Sequence, residues 1–229
     1  MTILKKLESK IEYTFKDPLL LREALTHTSY ANEHRGYKVK NNERLEFLGD
    51  SVLNLIITTH LFARLKNISE GEMSRIRSTI VCEKSLRIAA DLFELHRFIL
   101  LGRGEEQNGG RARDSIIADA MEALIGAIYC DSGIQEATRF VIKYMTELID
   151  SGIQGKLFKD YKTQYQELVQ KNKDARIEYL VVNEKGPDHK KTFTVELFLD
   201  GRSVSTGEGK NKKEAEQNAA REAMIIWEK

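Results

Sequence analysis

The chain is poor in proline and cysteine, with two of each in 229 residues. With Pro18 and Pro187 as the only proline breakers, nearly the whole length is free to be helical. Cys82 and Cys130 stand far apart, with no histidine or cysteine cluster beside either. That excludes a zinc pattern and a disulfide framework, and isolated thiols suit a reducing compartment. No apolar run reaches about 18 residues free of charge, so no membrane span is expected. The opening Met1-Thr2-Ile3-Leu4-Lys5-Lys6 lacks the long apolar core of a signal peptide, and the expected location is the cytoplasm. An excess of one charge is missing too: 36 basic residues face 35 acidic ones, for a net charge of +1. A polyanionic partner would therefore need positive charge that is clustered rather than abundant.

The sequence is 41% hydrophobic and long enough for two domains. Up to about residue 149 the pattern is helical nearly throughout. Residues 42–65 read as one long helix. Ser69 with Glu72 forms a capping box that opens a second, running to about Leu92. Residues 102–113, with Gly102, Gly104, Gly109 and Gly110, read as a loop. A further helix starts at Asp114 or Ser115 and ends near Cys130, where Asp131-Ser132-Gly133 interrupts it before another runs to about Ile149. Residues 150–158 read as a linker between a domain at 1–149 and one at 159–229, because Gly152 and Gly155 sit among little that could pack.

Beyond the linker the periods change. Tyr161, Tyr165, Leu168 and Val169 share one face of a short helix. Residues 177–182 are β-rich, Gly186-Pro187-Asp188-His189 is a turn, and Phe193 to Leu199 alternates as a strand. Asp200-Gly201 marks a hairpin into a third strand, and Ala215, Ala219, Ala223 and Trp227 step by four along a last helix. The expected fold is an all-α N-terminal domain followed by an α+β domain of order α-β-β-β-α.

Two pairs of acids carry the chemistry. Between Leu45 and Ser69 the only acids are Glu46 and Asp50, four apart on one helical face among Leu45, Phe47, Leu48, Val52 and Leu53. Between Ser115 and Ile125 the only acids are Asp119 and Glu122, three apart on one face. A lone pair of this kind is usually a solvated surface or a cap; two pairs in apolar helices are not. If the helices pack side by side, four carboxylates converge and raise one another's pKa unless a cation offsets them. Oxygen-only ligands select magnesium, with manganese as a possible substitute. Such an ion suits phosphoryl chemistry, because it activates water and neutralises phosphate charge.

Asn42-Glu43-Arg44-Leu45-Glu46-Phe47-Leu48-Gly49-Asp50 resembles the defining motif of bacterial ribonuclease III. Glu70-Gly71-Glu72-Met73-Ser74-Arg75 and Asp119-Ala120-Met121-Glu122-Ala123-Leu124-Ile125-Gly126 resemble its later blocks. The C-terminal α-β-β-β-α segment resembles its double-stranded-RNA-binding domain. The resemblance implies a magnesium-dependent endonuclease acting on double-stranded RNA, with Glu46, Asp119 and Glu122 as metal ligands and Asp50 and Glu122 as catalytic residues. Glu43 and Glu70 match further acids with supporting roles. It also implies 5′-phosphate and 3′-hydroxyl ends, a homodimer, and processing of ribosomal, messenger and transfer RNAs. The apolar girth of the 42–65 helix suits either a core or a subunit interface. The alternatives are a double-stranded-RNA-binding protein that does not cleave, and a dimeric scaffold.

The RNA contacts rest on placement. Lys210, Lys212 and Lys213 gather at the start of the last helix, where cations oppose the helix dipole unless an anion binds there. By resemblance, Thr163, Gln164 and Glu167 and the loop holding His189 would enter the minor groove of a duplex, a shape-reading mode that spans about 16 base pairs. Arg111 and Arg113 are weaker candidates for RNA contact. His27, His34, His60 and His96 read as structural or surface residues.

Overall fold

The computed structural model describes residues 3–34, 39–157, 161–169, 175–186 and 191–227. Two compact units divide the chain, Met1–Leu157 and Phe158–Lys229.

The described part of the first unit is helical. Its helices are α1 (Ile3–Ile11), α2 (Pro18–Ala24), α3 (Thr28–Glu33), α4 (Glu43–Arg64), α5 (Glu70–Ile80), α6 (Glu83–Asp91), α7 (Arg103–Gln107) and α8 (Asp114–Ile153). Local chemistry starts several of them. Asp17 accepts the Leu19 N–H ahead of Pro18, which needs no N–H at the first position of α2. Ser69 Oγ accepts the Glu72 N–H at 3.3 Å, so Ser69 caps α5 where its sequence places the start. Helix α8 is broken at Gly133, whose φ of 80° and ψ of −175° leave the helical region. Beside the break, Asp131 accepts N–H bonds from Lys16 and Asp17 and the Tyr13 hydroxyl, tying the α1–α2 connection to the bend.

Three details depart from the sequence reading. The helix opened by Ser69 does not run to Leu92: extended backbone at Cys82 separates α5 from α6, and Ser85 Oγ donates to the Thr79 carbonyl across the bend at 2.8 Å. The glycine-rich segment 102–113 is not an open loop. It holds α7 and a 3-10 turn (Gly110–Ala112), organised by Arg111, which pairs with Glu106 and donates to the carbonyls of His96 and Ile99 at 2.6 and 3.0 Å. Last, α8 continues to Ile153, into the stretch read as linker. Asp150 pairs with Arg64 at 2.6 Å, and Gly152 is buried against Ile80.

The principal helix pair is α4 with α8. Leu53, Ile57 and Leu61 of α4 are fully buried against the apolar side of α8, at about 1.5–3 kcal/mol for each side chain. The two backbones touch at a pair of glycines. A methyl group on Gly49 would collide with the Glu122 carbonyl and lie 3.0 Å from the Gly126 nitrogen, and one on Gly126 would collide with the Leu45 carbonyl. This close approach positions the acids described below.

The second unit is α9 (Tyr161–Val169), β1 (Ile177–Lys185), β2 (Thr192–Leu199), β3 (Arg202–Gly209) and α10 (Lys212–Trp227). The sheet is antiparallel in the order β1-β2-β3. Asp200 and Gly201 both have positive φ, 51° and 76°, as a two-residue hairpin turn between β2 and β3 demands. Val195 and Leu197 point into a core completed by Tyr165, Val169, Ala215, Ala219, Ala220 and Ala223. Small residues on both sides let α10 lie close on β3: a methyl group on Gly207 would collide with the Ala219 nitrogen. Trp227, fourth in the alanine series, is about half exposed and meets the Tyr165 ring edge-on at 6.3 Å.

Candidate active site and nucleic-acid interface

The glycine contact brings the two acid pairs to one crossing. Glu46 and Asp50 flank Gly49 on α4; Asp119 and Glu122 lie on the turns of α8 that precede Gly126. All four interact electrostatically. Glu122 is pushed up to about 8, chiefly by burial and then by the charges of Asp50, Glu46 and Asp119. Glu46 is raised by burial, then by Asp119, Glu43 and Asp50. Asp119 is raised by burial, with His27 pulling the other way and Glu83 adding repulsion. Asp50 is exposed, and its Oδ1 accepts from Asn54 Nδ2 at 2.8 Å.

Among the described residues no lysine, arginine or histidine forms a salt bridge with any of these four carboxylates. Among the described residues the cluster therefore has no ion-paired cation, His27 acting on Asp119 alone. It is also not drawn tight: no three His, Cys, Asp or Glu side chains among the described residues meet closely enough to grip one metal ion. Half-buried, unpaired, oxygen-only donors with this spacing suit a hard divalent ion that retains several of its waters. They do not suit a dry, fully protein-ligated site.

In the second unit, Lys210, Lys212 and Lys213 are exposed around the start of α10. Asn211 Oδ1 accepts the Glu214 N–H at 2.9 Å, and Glu214 Oε2 accepts the Lys210 N–H at 2.8 Å. These side chains thus take two of the N–H groups around the start of α10. Among the described residues Lys212 has one distant ion partner, Glu184 at 3.8 Å, and its ammonium stands 5.9 Å from the Phe193 ring centre. Thr163 and Glu167 are exposed on α9, whereas Gln164 is half-buried. His189 lies outside the described residues.

A family profile described as Ribonuclease-III-like matches residues 17–148, and one described as Double-stranded RNA binding motif matches residues 161–225. A protein named Ribonuclease 3 from Caldanaerobacter subterraneus subsp. tengcongensis is 49% identical over 222 residues, covering 97% of each chain. The chain belongs to the ribonuclease III family. Ribonuclease 3 from Clostridium tetani is 46% identical, over 96% of this chain and 93% of its own. A solved structure of the nuclease domain of ribonuclease III from Campylobacter jejuni, described as concerning structural flexibility in a region involved in dimer formation, matches with a TM-score of 0.59 and 42% identity. That match covers 63% of this chain and 96% of the domain.

Within this ribonuclease III chain, Glu43 joins the four acids through its effect on Glu46. Glu70 does not join them. It lines a separate recess between α4 and α5 with Phe62, Met73 and Arg77, and accepts from Ser74 Oγ at 2.8 Å. Arg111 is committed to Glu106 and two carbonyls, and Arg113 to Glu105 at 2.8 Å, which argues against both as free phosphate contacts. Sequence reasoning missed His27 and Glu83. His27 Nδ1 accepts the Ser29 N–H at the start of α3, and its ring lies close enough to lower the Asp119 pKa. Its sequence neighbourhood carries no hint of Asp119. Glu83 opens α6, which packs on α8, and only tertiary structure brings it near.

Proposed function

We propose that this protein is an endoribonuclease that hydrolyses phosphodiester bonds of double-stranded RNA, leaving 5′-phosphate and 3′-hydroxyl ends. The observation that carries the proposal is the crossing of α4 and α8, where four carboxylates repel one another and, among the described residues, none is ion-paired. Glu46, Asp119 and Glu122 would hold Mg²⁺, or Mn²⁺ in its place. The bound ion would supply charge neutralisation on the phosphate and an activated water. Asp50, exposed and oriented by Asn54, is suited to take a proton from the attacking water. Glu122 gives up its own proton when a cation offsets its neighbours. The natural targets would be ribosomal RNA precursors and some messenger and transfer RNAs, in the cytoplasm. No helix among the described residues is long and apolar enough to cross a membrane.

Incubation with a long perfect duplex and with the matching single strand, with and without Mg²⁺, tests the reaction. Shortening of the duplex alone, and only with Mg²⁺, is expected; a duplex that is bound and stays intact would refute cleavage.

The RNA-binding unit would meet phosphates through Lys210, Lys212 and Lys213, and a minor groove through Thr163, Gln164, Glu167 and His189. Lys212→Ala should weaken duplex binding and lower the slope of log affinity against log salt by about 0.9, one phosphate contact. An unchanged slope would remove Lys212 from the contacts.

A homodimer is supported by what α4 leaves uncovered. Phe47, Leu55 and Phe62 recur at steps of eight and seven on one face and are 81%, 57% and 69% exposed. Glu70 stands in the recess beside Phe62, so in such a dimer it would face the partner rather than its own chain's acids. Phe47→Asp with Phe62→Asp should halve the mass seen by light scattering at micromolar protein. A wild-type monomer would contradict the dimer.

A further inference from the structure

A cleft of about 520 Å³ opens between α2, α3 and the chain that leads into α4, apart from the acid cluster. A second recess of about 380 Å³ adjoins it, and the two share Glu23, Val39 and Lys40. Each is large enough for a small polar ligand. The cleft has three kinds of lining. One wall is a ring pair: Tyr30 and His34 stack with centroids 4.1 Å apart and planes at 20°, and the His34 Nδ1–H donates to the Tyr30 carbonyl at 2.9 Å. Cations stand at its rim. Arg22 lines the first recess and Arg44 the second, both exposed and without an ion pair among the described residues. Finally, the mostly buried Glu23 carboxylate is held only loosely, 3.5 Å from Lys40.

The wall at Thr26 is fixed before any ligand arrives. Thr26 is fully buried, its hydroxyl donates to the Arg22 carbonyl at 2.7 Å, and its own carbonyl accepts the Asn42 N–H at 2.9 Å. An aromatic face, guanidinium groups without an ion pair among the described residues and a loosely paired carboxylate match the three parts of one ligand class. Rings accept a base by stacking, arginines accept a phosphate, and a carboxylate accepts a ribose hydroxyl. An apolar peptide would leave the arginines and Glu23 unused.

We propose that this cleft binds a nucleotide, with its base on the Tyr30–His34 stack, its phosphate on Arg22 and Arg44, and its ribose hydroxyls on Glu23. The same chemistry is offered by a free nucleoside 5′-monophosphate and by an unpaired nucleotide at the end of an RNA strand. A paired base inside a duplex has no free face to give.

Two titrations of the full chain without divalent cation decide the matter, with melting temperatures confirming that each variant is folded. In the first, adenosine and uridine 5′-monophosphate are titrated by calorimetry into wild type, Tyr30→Ala and Arg22→Ala. Saturable binding by wild type, about tenfold weaker in each variant, supports the cleft as a site for free nucleotide. In the second, a blunt RNA duplex is compared with one carrying a short unpaired extension. About tenfold tighter binding of the extended duplex, erased by both variants, assigns the cleft to RNA ends. The first titration does not depend on the proposed cleavage, so failure of that activity and failure of this site are distinguishable. No monophosphate binding together with equal affinity for the two duplexes overturns the proposal. So does binding that neither substitution changes.

Discussion

Glu122→Gln will lower duplex cleavage by about 10³-fold, as loss of several kcal/mol of metal-borne stabilisation requires, and will leave duplex affinity within about twofold, because no phosphate contact changes. The same substitution will make the metal-free protein more heat-stable. Glu122 has a folded pKa of about 8 against an ordinary 4.5. Between those values the folded state keeps a proton that the unfolded chain releases. Stability therefore falls as pH rises through the window and is fully present only below it. Removing the carboxylate removes most of that slope; Glu46 and Asp119, raised in the same direction, keep a remainder. Discounted for solvent screening, the gain at pH 8 is about 1–2 kcal/mol, or roughly 3–6 °C for the helical unit. Gel cleavage assays and melting curves between pH 5 and 8 without divalent cation check both halves. A variant that melts below wild type at pH 8, or one that loses binding along with cleavage, would contradict the assignment.

Gly49→Ala will disable the site without touching a carboxylate. Its methyl group meets the Glu122 carbonyl, a backbone atom of α8 that cannot swing aside as a side chain would. The helices must part, at a cost of about 2–3 kcal/mol, which lowers the melting of the helical unit by roughly 5–10 °C. Cleavage should fall at least tenfold even at temperatures where the variant is folded, because the two acid pairs ride on the two helices that separate. Gly71→Ala is the matched control. Gly71 lies in α5 with nothing within 4 Å of an added methyl group. A helical glycine replaced there should stabilise the chain by about 0.5–1 kcal/mol and leave cleavage unchanged. Equal behaviour of the two variants would show that the glycine contact does not hold the site together.

What the sequence made legible was carried by local chemistry. The long apolar helix was read at residues 42–65, and α4 is Glu43–Arg64. The Ser69–Glu72 box and the interruption at Gly133 each depend on residues that act on their immediate neighbours. So does the Asp200-Gly201 turn, since both residues take a positive φ at little cost. The acid pairs could be read because ionisable residues amid apolar helical faces need a reason, although that the helices cross at Gly49 and Gly126 could not.

The parts that escaped depend on distant partners. Cys82 ends one helix and starts another with no glycine or proline to mark the break, and the bend is held by the Ser85–Thr79 bond. The glycine-rich stretch 102–113 folds because Arg111 finds carbonyls at His96 and Ile99. Glu70 looks like one more acid of the cluster until tertiary structure puts it beside Phe62. Gly152 looks like linker until Ile80 covers it.

If the four carboxylates form a cation site, calorimetric titration of Mg²⁺ and Mn²⁺ into the RNA-free protein at pH 7 detects it directly. Repeating it in buffers of different ionisation enthalpy counts the protons released on binding. The expected result is saturable binding with release of close to one proton, since Glu122 holds one until a cation arrives, and loss of that release in Glu122→Gln. No heat with either metal, or binding unchanged in Glu122→Gln, would mean that the acids at this crossing do not form the metal centre.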